Sequence, residues 1–401
     1  MKLSKSILYF GIFLSLGGSL SAQTLYWDTN GATAGAGNPA DGTWDLDATA
    51  NWTTDSTGSI ATSIYSAGAD VIFSAGSDAA TANITVSGTQ DVSSMTFKNG
   101  NVTLSGSSID ELSGSVTVTV DSGATATFNN TNTFNGNFVV NGTLNAHIFN
   151  AGGPMTKSGT GTMTINRMDA TLTVNEGTVI YTGTSGAKLK NTTINDTGTL
   201  RITGTALESG RSLVVNSGGV FEIATGVSQT INGYTMSGTT VSESGATLTV
   251  NGTGAISGSI EGELNFISGG TSTKSFTDTS SMEFTIGANG VNNSILGDGT
   301  NNTTTNLDGT FTFDLSGADL SDGNSWLIVD VDALDETFGA TFNIASFTDG
   351  GSDVWTYDSD TNLSFSEATG YLSYTVIPEP GTYAALFGAV AGLLIIRRHR
   401  R

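Results

Sequence analysis

Catalysis needs groups that give, take or hold a proton or a metal, and this sequence offers few of them in useful company. There is no cysteine, which removes thiolate nucleophiles, thiolate metal sites and disulfides together. Of the two histidines, His399 stands in a terminal arginine cluster, so His147 is the one imidazole of the main body. With no nucleophile and orienting acid around it, it reads as a surface or satisfied residue and not as a general base. The acids Asp169, Glu176, Asp196, Glu208 and Glu222 each stand singly in or beside a turn. Glycoside cleavage needs two carboxyl groups held roughly 5 to 10 Å apart, and no spacing here fixes such a pair, so solvated turn charge is expected. Asp330 and Asp332 alternate as if on one strand face, near Asp319, Asp322 and Asp335. Hard oxygens of this kind are candidate Ca2+ ligands, but neither an EF-hand loop nor a glycine-rich calcium repeat accompanies them. No cofactor is expected. Trp44, Trp52, Trp326 and Trp355 are candidate platforms for sugar stacking, against the plainer expectation that they fill cores.

The elements that must position these residues are strands. Charged residues make up only 12% of the 401, while 53 glycines and many Ser, Thr and Asn carry polarity without charge. Apolar residues recur at every second position, which supplies the faces that a disordered polar chain lacks. Between the two ends of the chain, eight basic residues face 35 acidic ones, a balance of −27. Such a surface repels nucleic acid and anionic lipid.

Both ends read as addresses. Lys2 and Lys5 precede an apolar run over 7–16 and small residues up to Ala22 and Gln23, the order of a secretory signal with cleavage expected after Ala22. At the other end, the uncharged run 382–396 would make a helix of about 22 Å, a marginal membrane span. Arg397, Arg398, Arg400 and Arg401 would hold that end in the cytoplasm and leave the body outside. Pro378 and Pro380 keep the preceding backbone extended and unpaired, as a protease requires. Pro378-Glu379-Pro380, a short apolar helix and an arginine cluster together resemble the PEP-CTERM sorting signal of Gram-negative bacteria. The resemblance covers about the last 25 residues. It implies processing by an exosortase-type enzyme and an association with exopolysaccharide.

The body repeats a phrase: alternating apolar residues, Asn or Asp, a glycine turn, Thr and another apolar strand, as in VTVDSGATATF (118–128), TVNEGTVIY (173–181) and TVSESGATLTV (240–250). The turn glycines Gly123, Gly142, Gly161, Gly177, Gly198 and Gly218 step by 19, 19, 16, 21 and 20 residues. A step near 20 predicts one rung of a solenoid, in which stacked neighbours cover the apolar face that no single strand can bury. Asn and Gly are expected in the turns because they tolerate positive φ, and Asn can ladder with the Asn one rung away. Residues 152–179, with Lys157, Gly159, Gly161 and Thr162 followed by Val174-Asn175-Glu176-Gly177-Thr178, resemble the autotransporter-associated β-strand repeat, which implies a right-handed parallel β-helix.

The resulting expectation is an all-β chain: a signal peptide (1–22), an N-terminal β cap (23–106), solenoid repeats (107–299), a C-terminal β domain (300–376) and a sorting tail with a short helix (377–401). Its expected role is that of a non-enzymatic, exported surface or matrix protein, structural or adhesive, tethered to the inner membrane by its tail and then processed. A β-helix polysaccharide lyase or hydrolase and a carbohydrate-binding module are the alternatives.

Overall fold

A computed structural model describes residues 22–111, 115–149, 153–183 and 188–376. Every regular element among them is a strand, and the chain winds as a β-solenoid of about 10 turns. Two long columns of parallel strands share one 28-stranded sheet, and a third face joins Ser228–Ile231, Thr247–Val250, Asn265–Ser268 and Ile295–Gly297.

The winding follows from alternation. In Val116–Val120 the first, third and fifth residues are buried and those between are not, so one edge of each strand faces the inside of the coil. Register then stacks like positions. Ala126, Leu144, Met163, Val179, Leu200 and Phe221 follow one another on successive rungs, and after Thr240 the series resumes with Ile260, Met282, Phe311 and Ile344. All are buried, each worth about 1.5 to 3 kcal/mol for the larger side chains. Thr240 is accommodated because its hydroxyl hydrogen-bonds with Tyr234 Oη and lies 3.3 Å from Met236 Sδ.

From Thr125 to Ser281, paired residues are offset by 18, 19, 16, 21, 21, 19, 20 and 22 residues, as the glycine spacing predicted. The parallel ladder also runs past both expected boundaries. Leu25 pairs with Val71, Val71 with Met95 and Met95 with Val118, so residues 23–106 already belong to the coil. At the far end Phe311 pairs with Ile344. The outer rungs hid from the periodicity because they are longer: Gly42 pairs with Ile84, Ser281 with Thr310 and Thr310 with Asn343.

Two antiparallel features flank the parallel ladder. Trp52–Thr53 lies against Thr24–Trp27. Ser325–Leu327, Tyr371–Tyr374, Leu363–Ser366, Val354–Tyr357 and Phe347–Asp349 form a five-stranded sheet. Its rings meet the last rungs at Phe313–Phe347 (5.4 Å between centroids), Phe342–Trp355 (5.6 Å) and Phe338–Phe365 (6.0 Å).

The turn glycines divide by cause. Gly123, Gly177 and Gly218 have positive φ, as expected. Gly142, Gly161 and Gly198 do not; a Cβ on them would stand 2.3, 2.1 and 2.5 Å from the backbone oxygens of Ala124, Gly142 and Val174 one rung away. Close rung approach, not handedness of the turn, requires glycine there. The expectation for asparagine is corrected: among the described residues the non-glycine positions with positive φ are Ser346, Ser352 and Asp353.

Candidate functional site

The addresses frame the fold. Gln23, expected to begin the mature chain, donates its carbonyl to the ladder by accepting the Asp70 N–H at 2.9 Å, and the first strand starts at Thr24. At the other end the Val376 N–H reaches Asp322 Oδ1 at 2.9 Å. Pro378, Glu379, Pro380, Arg397, Arg398, Arg400 and Arg401 lie outside the described residues, as does the expected tail helix. Among the described residues no helix is long and apolar enough to cross a membrane.

The acids singled out as catalytic candidates are largely engaged in holding the coil. Asp169 pairs with Lys190 at 2.9 Å, Glu208 with Arg211 at 2.8 Å and Glu222 with Arg201 at 3.2 Å. Glu176 Oε2 accepts the Gly159 N–H at 3.1 Å. The carboxylate of Asp196 sits where a Cβ on Gly218 would fall. His147 is exposed on a shallow groove of about 230 Å3 with Asn129, Asn145 and Asn166.

Two expectations about binding residues are corrected. Trp44, Trp52 and Trp326 are fully buried and Trp355 is 8% exposed, so none offers a ring face to a sugar. Trp44 and Trp52 pack edge-on with Trp27, Tyr65 and Phe73 inside the first rungs. Asp330 and Asp332 do not share a strand face. The strand Ser325–Leu327 ends before them, Val329 makes a single bridge to Ile295, and the Ala333 N–H closes a turn onto the Asp330 carbonyl at 3.1 Å. Among the described residues no three acids or histidines are grouped to hold a metal.

The charges that the fold does bury are lysines. Lys157 is wholly buried and donates to the carbonyls of Gly159 (2.5 Å) and Glu176 (2.8 Å). Burial pushes its ammonium down to about 8, with Glu176 opposing. Lys274, equally buried, donates to the carbonyls of Gly269 and, at 2.8 Å, Ser272, and is likewise pushed down to about 8 by burial, with Asp298 opposing. Each ammonium satisfies turn carbonyls that would otherwise be orphaned inside the coil. Lys274 escaped the sequence reading, although both lysines stand in the same triplet, Thr-Lys-Ser.

Amides serve the same end. Asn216 Nδ2 donates to Asn195 Oδ1 at 2.6 Å and Asn195 Nδ2 to Asn175 Oδ1 at 2.8 Å, the expected rung-to-rung ladder. Gln229, buried, accepts from Ala206 and Leu207 N–H at 2.9 and 3.0 Å and donates to Leu207 O at 3.0 Å, standing in for a strand neighbour.

The largest concavity, about 620 Å3, lies where the strands Lys274–Phe276, Thr303–Leu307 and Leu334–Phe338 turn the corner toward the next face. Ser275, Asn306 and Thr337 line it in register. Comparison with known family models, curated proteins and solved structures finds no match.

Proposed function

We propose that the chain is an exported, non-catalytic scaffold of a bacterial surface or extracellular matrix, structural or adhesive, delivered by its N-terminal signal and sorted by a PEP-CTERM tail. On this reading the coil is right-handed, Trp52–Thr53 and the five-stranded sheet cap its ends, and 382–396 forms the short membrane helix. The observation that carries the proposal is where the ionic and amide groups go. Asp169, Glu176, Glu208, Glu222, Lys157 and Lys274 bind neighbouring rungs or turns, and Asn175, Asn195 and Asn216 tie three rungs in series. A molecule that spends such groups on rigidity is built as a rod.

The ends support the tail reading. The ladder takes up Gln23 directly after the expected signal cleavage, and the last strand, Tyr371–Tyr374, finishes before Pro378. Removal of both ends therefore leaves every described strand in place. Exopolysaccharide is the proposed surrounding and an exosortase-type enzyme the proposed processing partner. The test replaces Pro378, Glu379 and Pro380 with alanine in the native host and measures intact mass and membrane fractionation. The parent should lose the segment after the motif and leave the inner membrane, and the variant should stay uncleaved and retained. A parent still ending at Arg401 sinks the sorting proposal.

A further inference from the structure

We infer that the corner groove around Asn306 binds a neutral polysaccharide strand lying along the coil axis. This goes beyond the scaffold reading and does not depend on how the chain is exported.

The groove is built by register. Ser275 pairs with Asn306, and Asn306 with Thr337. Their neighbours Lys274, Phe276, Thr305 and Leu307 are buried, so by alternation these three side chains face outward on successive rungs. At about 4.8 Å per rung they span roughly 10 Å, comparable to two linked sugar rings. They offer hydroxyl, amide and hydroxyl, a row of uncharged donors and acceptors, and Asn306 Nδ2 already touches Ser275 Oγ at 3.2 Å.

The corner adds acceptors. Asp278 is exposed on the groove wall. Asp308 stands beside it in the lining, its Oδ1 fixed by the Thr341 N–H at 3.1 Å and hydroxyl at 2.7 Å. A carboxylate has two oxygens with room for several donors, so it can take both O–H groups of a vicinal diol. The volume, about 620 Å3, suits an oligomer more than a single ring.

Charge narrows the class. Residues 275–376 contain sixteen acids and neither lysine nor arginine. A uronate or sulfated polymer would meet only repulsion along this end of the coil, whereas a neutral chain meets none.

The test presents the purified full chain to cellohexaose, laminarihexaose and mannohexaose, to hexagalacturonate and to a chitosan hexamer, with binding read by calorimetry. At least one neutral hexaose should bind, hexagalacturonate should not, and Asn306→Arg should weaken the neutral ligand by at least about tenfold. His147→Ala, on the other groove, should leave binding unchanged. Thr337→Arg, at an exposed position on the outermost of the three rungs, repeats the test should Asn306→Arg fail to fold. Absence of neutral binding, equal binding of hexagalacturonate, binding of the chitosan hexamer alone, or indifference to both arginine substitutions overturns the inference.

Discussion

The outer rungs and the middle of the coil fill the same interior with different residues. At the N-terminal end, rings touch in an unbroken series from Trp27 through Trp52, Trp44, Phe73, Phe97, Phe128 and Phe149 to Phe138, with centroids 4.9 to 5.9 Å apart. The last rungs repeat this with Phe284, Phe311, Phe342 and Trp355. Between them the stack passes through Met163, Val179 and Leu200. There the four ion pairs of the described residues, Lys157 and the asparagine ladder lie between Lys157 and Glu243. A middle rung has covered neighbours above and below and a short turn, so a slim aliphatic core suffices and precision comes from polar pins. An outer rung has longer excursions and one open side, and broad rings cover more area per residue.

The comparison breaks most readily at the ends. Trp52→Ala should cost about 3 to 5 kcal/mol in urea unfolding, and Leu200→Ala about 2 to 5 with less disturbance of its neighbours. Trp52→Phe sharpens the point. The Trp52 indole N–H has no hydrogen-bond partner among the described residues, so its loss should be mild, whereas Trp27→Phe also forfeits the 2.8 Å bond from Nε1 to the Ala40 carbonyl. Equal losses in the two phenylalanine variants would show that the indole N–H of Trp27 contributes nothing.

Buried lysine gives the middle a pH signature. Lys157 and Lys274 fall to about 8 in the fold, below the ~10.4 of an unfolded lysine. Between these values the unfolded chain binds more protons, so stability should rise with pH from about 8 to about 10. Above the ordinary tyrosine range the trend should reverse, because burial raises Tyr65, Tyr181 and Tyr234 and they resist ionisation. Melting temperatures across this range should show the maximum, and Lys157→Met with Lys274→Met should flatten the rise. Each single change should also cost about 1 to 3 kcal/mol by orphaning buried carbonyls.

Much of this architecture was legible from spacing alone. The glycine steps from Gly123 to Gly218 match the rung offsets because short turns leave no room for insertions. The outer rungs were misjudged for the opposite reason: the excursion from Gly42 to Ile84 erases a period that only backbone pairing reveals. Tryptophan types suggested ends but not burial, since a ring that stacks on sugar and one that fills a core carry the same letter. The groove at Asn306 was invisible because its lining residues lie about 30 apart in the chain and meet only through register. Lys274 was missed because a lone lysine between polar residues looks solvated until its carbonyl partners are in place.

A smaller effect is expected from the amide ladder. Asn195→Ala removes one bond upward to Asn175 and one downward to Asn216, both at the surface where water can replace them. The loss should be about 1 kcal/mol by urea unfolding. Asn195→Asp should behave similarly, because a carboxylate cannot donate to Asn175 Oδ1 while it still accepts from Asn216. A loss several times larger would mean that the ladder sets rung register and does more than decorate it.

The smallest effect belongs to the charges that cross three rungs, Arg201 to Glu222 at 3.2 Å and to Glu243 at 2.5 Å. These groups are partly in solvent, where water and salt screen the attraction and ordering two long side chains consumes what remains. Glu243 nevertheless carries a readable mark: hydrogen bonds from Arg201 and then Thr225 hold its carboxyl down to about 2, against an ordinary value of 4.5. A carboxyl depressed by folding contributes stability above its unfolded value and loses it as pH falls through the folded one. Glu243→Gln should therefore shift the melting temperature slightly at pH 7, progressively less from pH 4.5 downward, and not at all near pH 2. The neutral amide keeps nearly the same shape, so a difference that persists at pH 2 would assign the contact to packing and remove charge from the account of how the middle rungs are pinned.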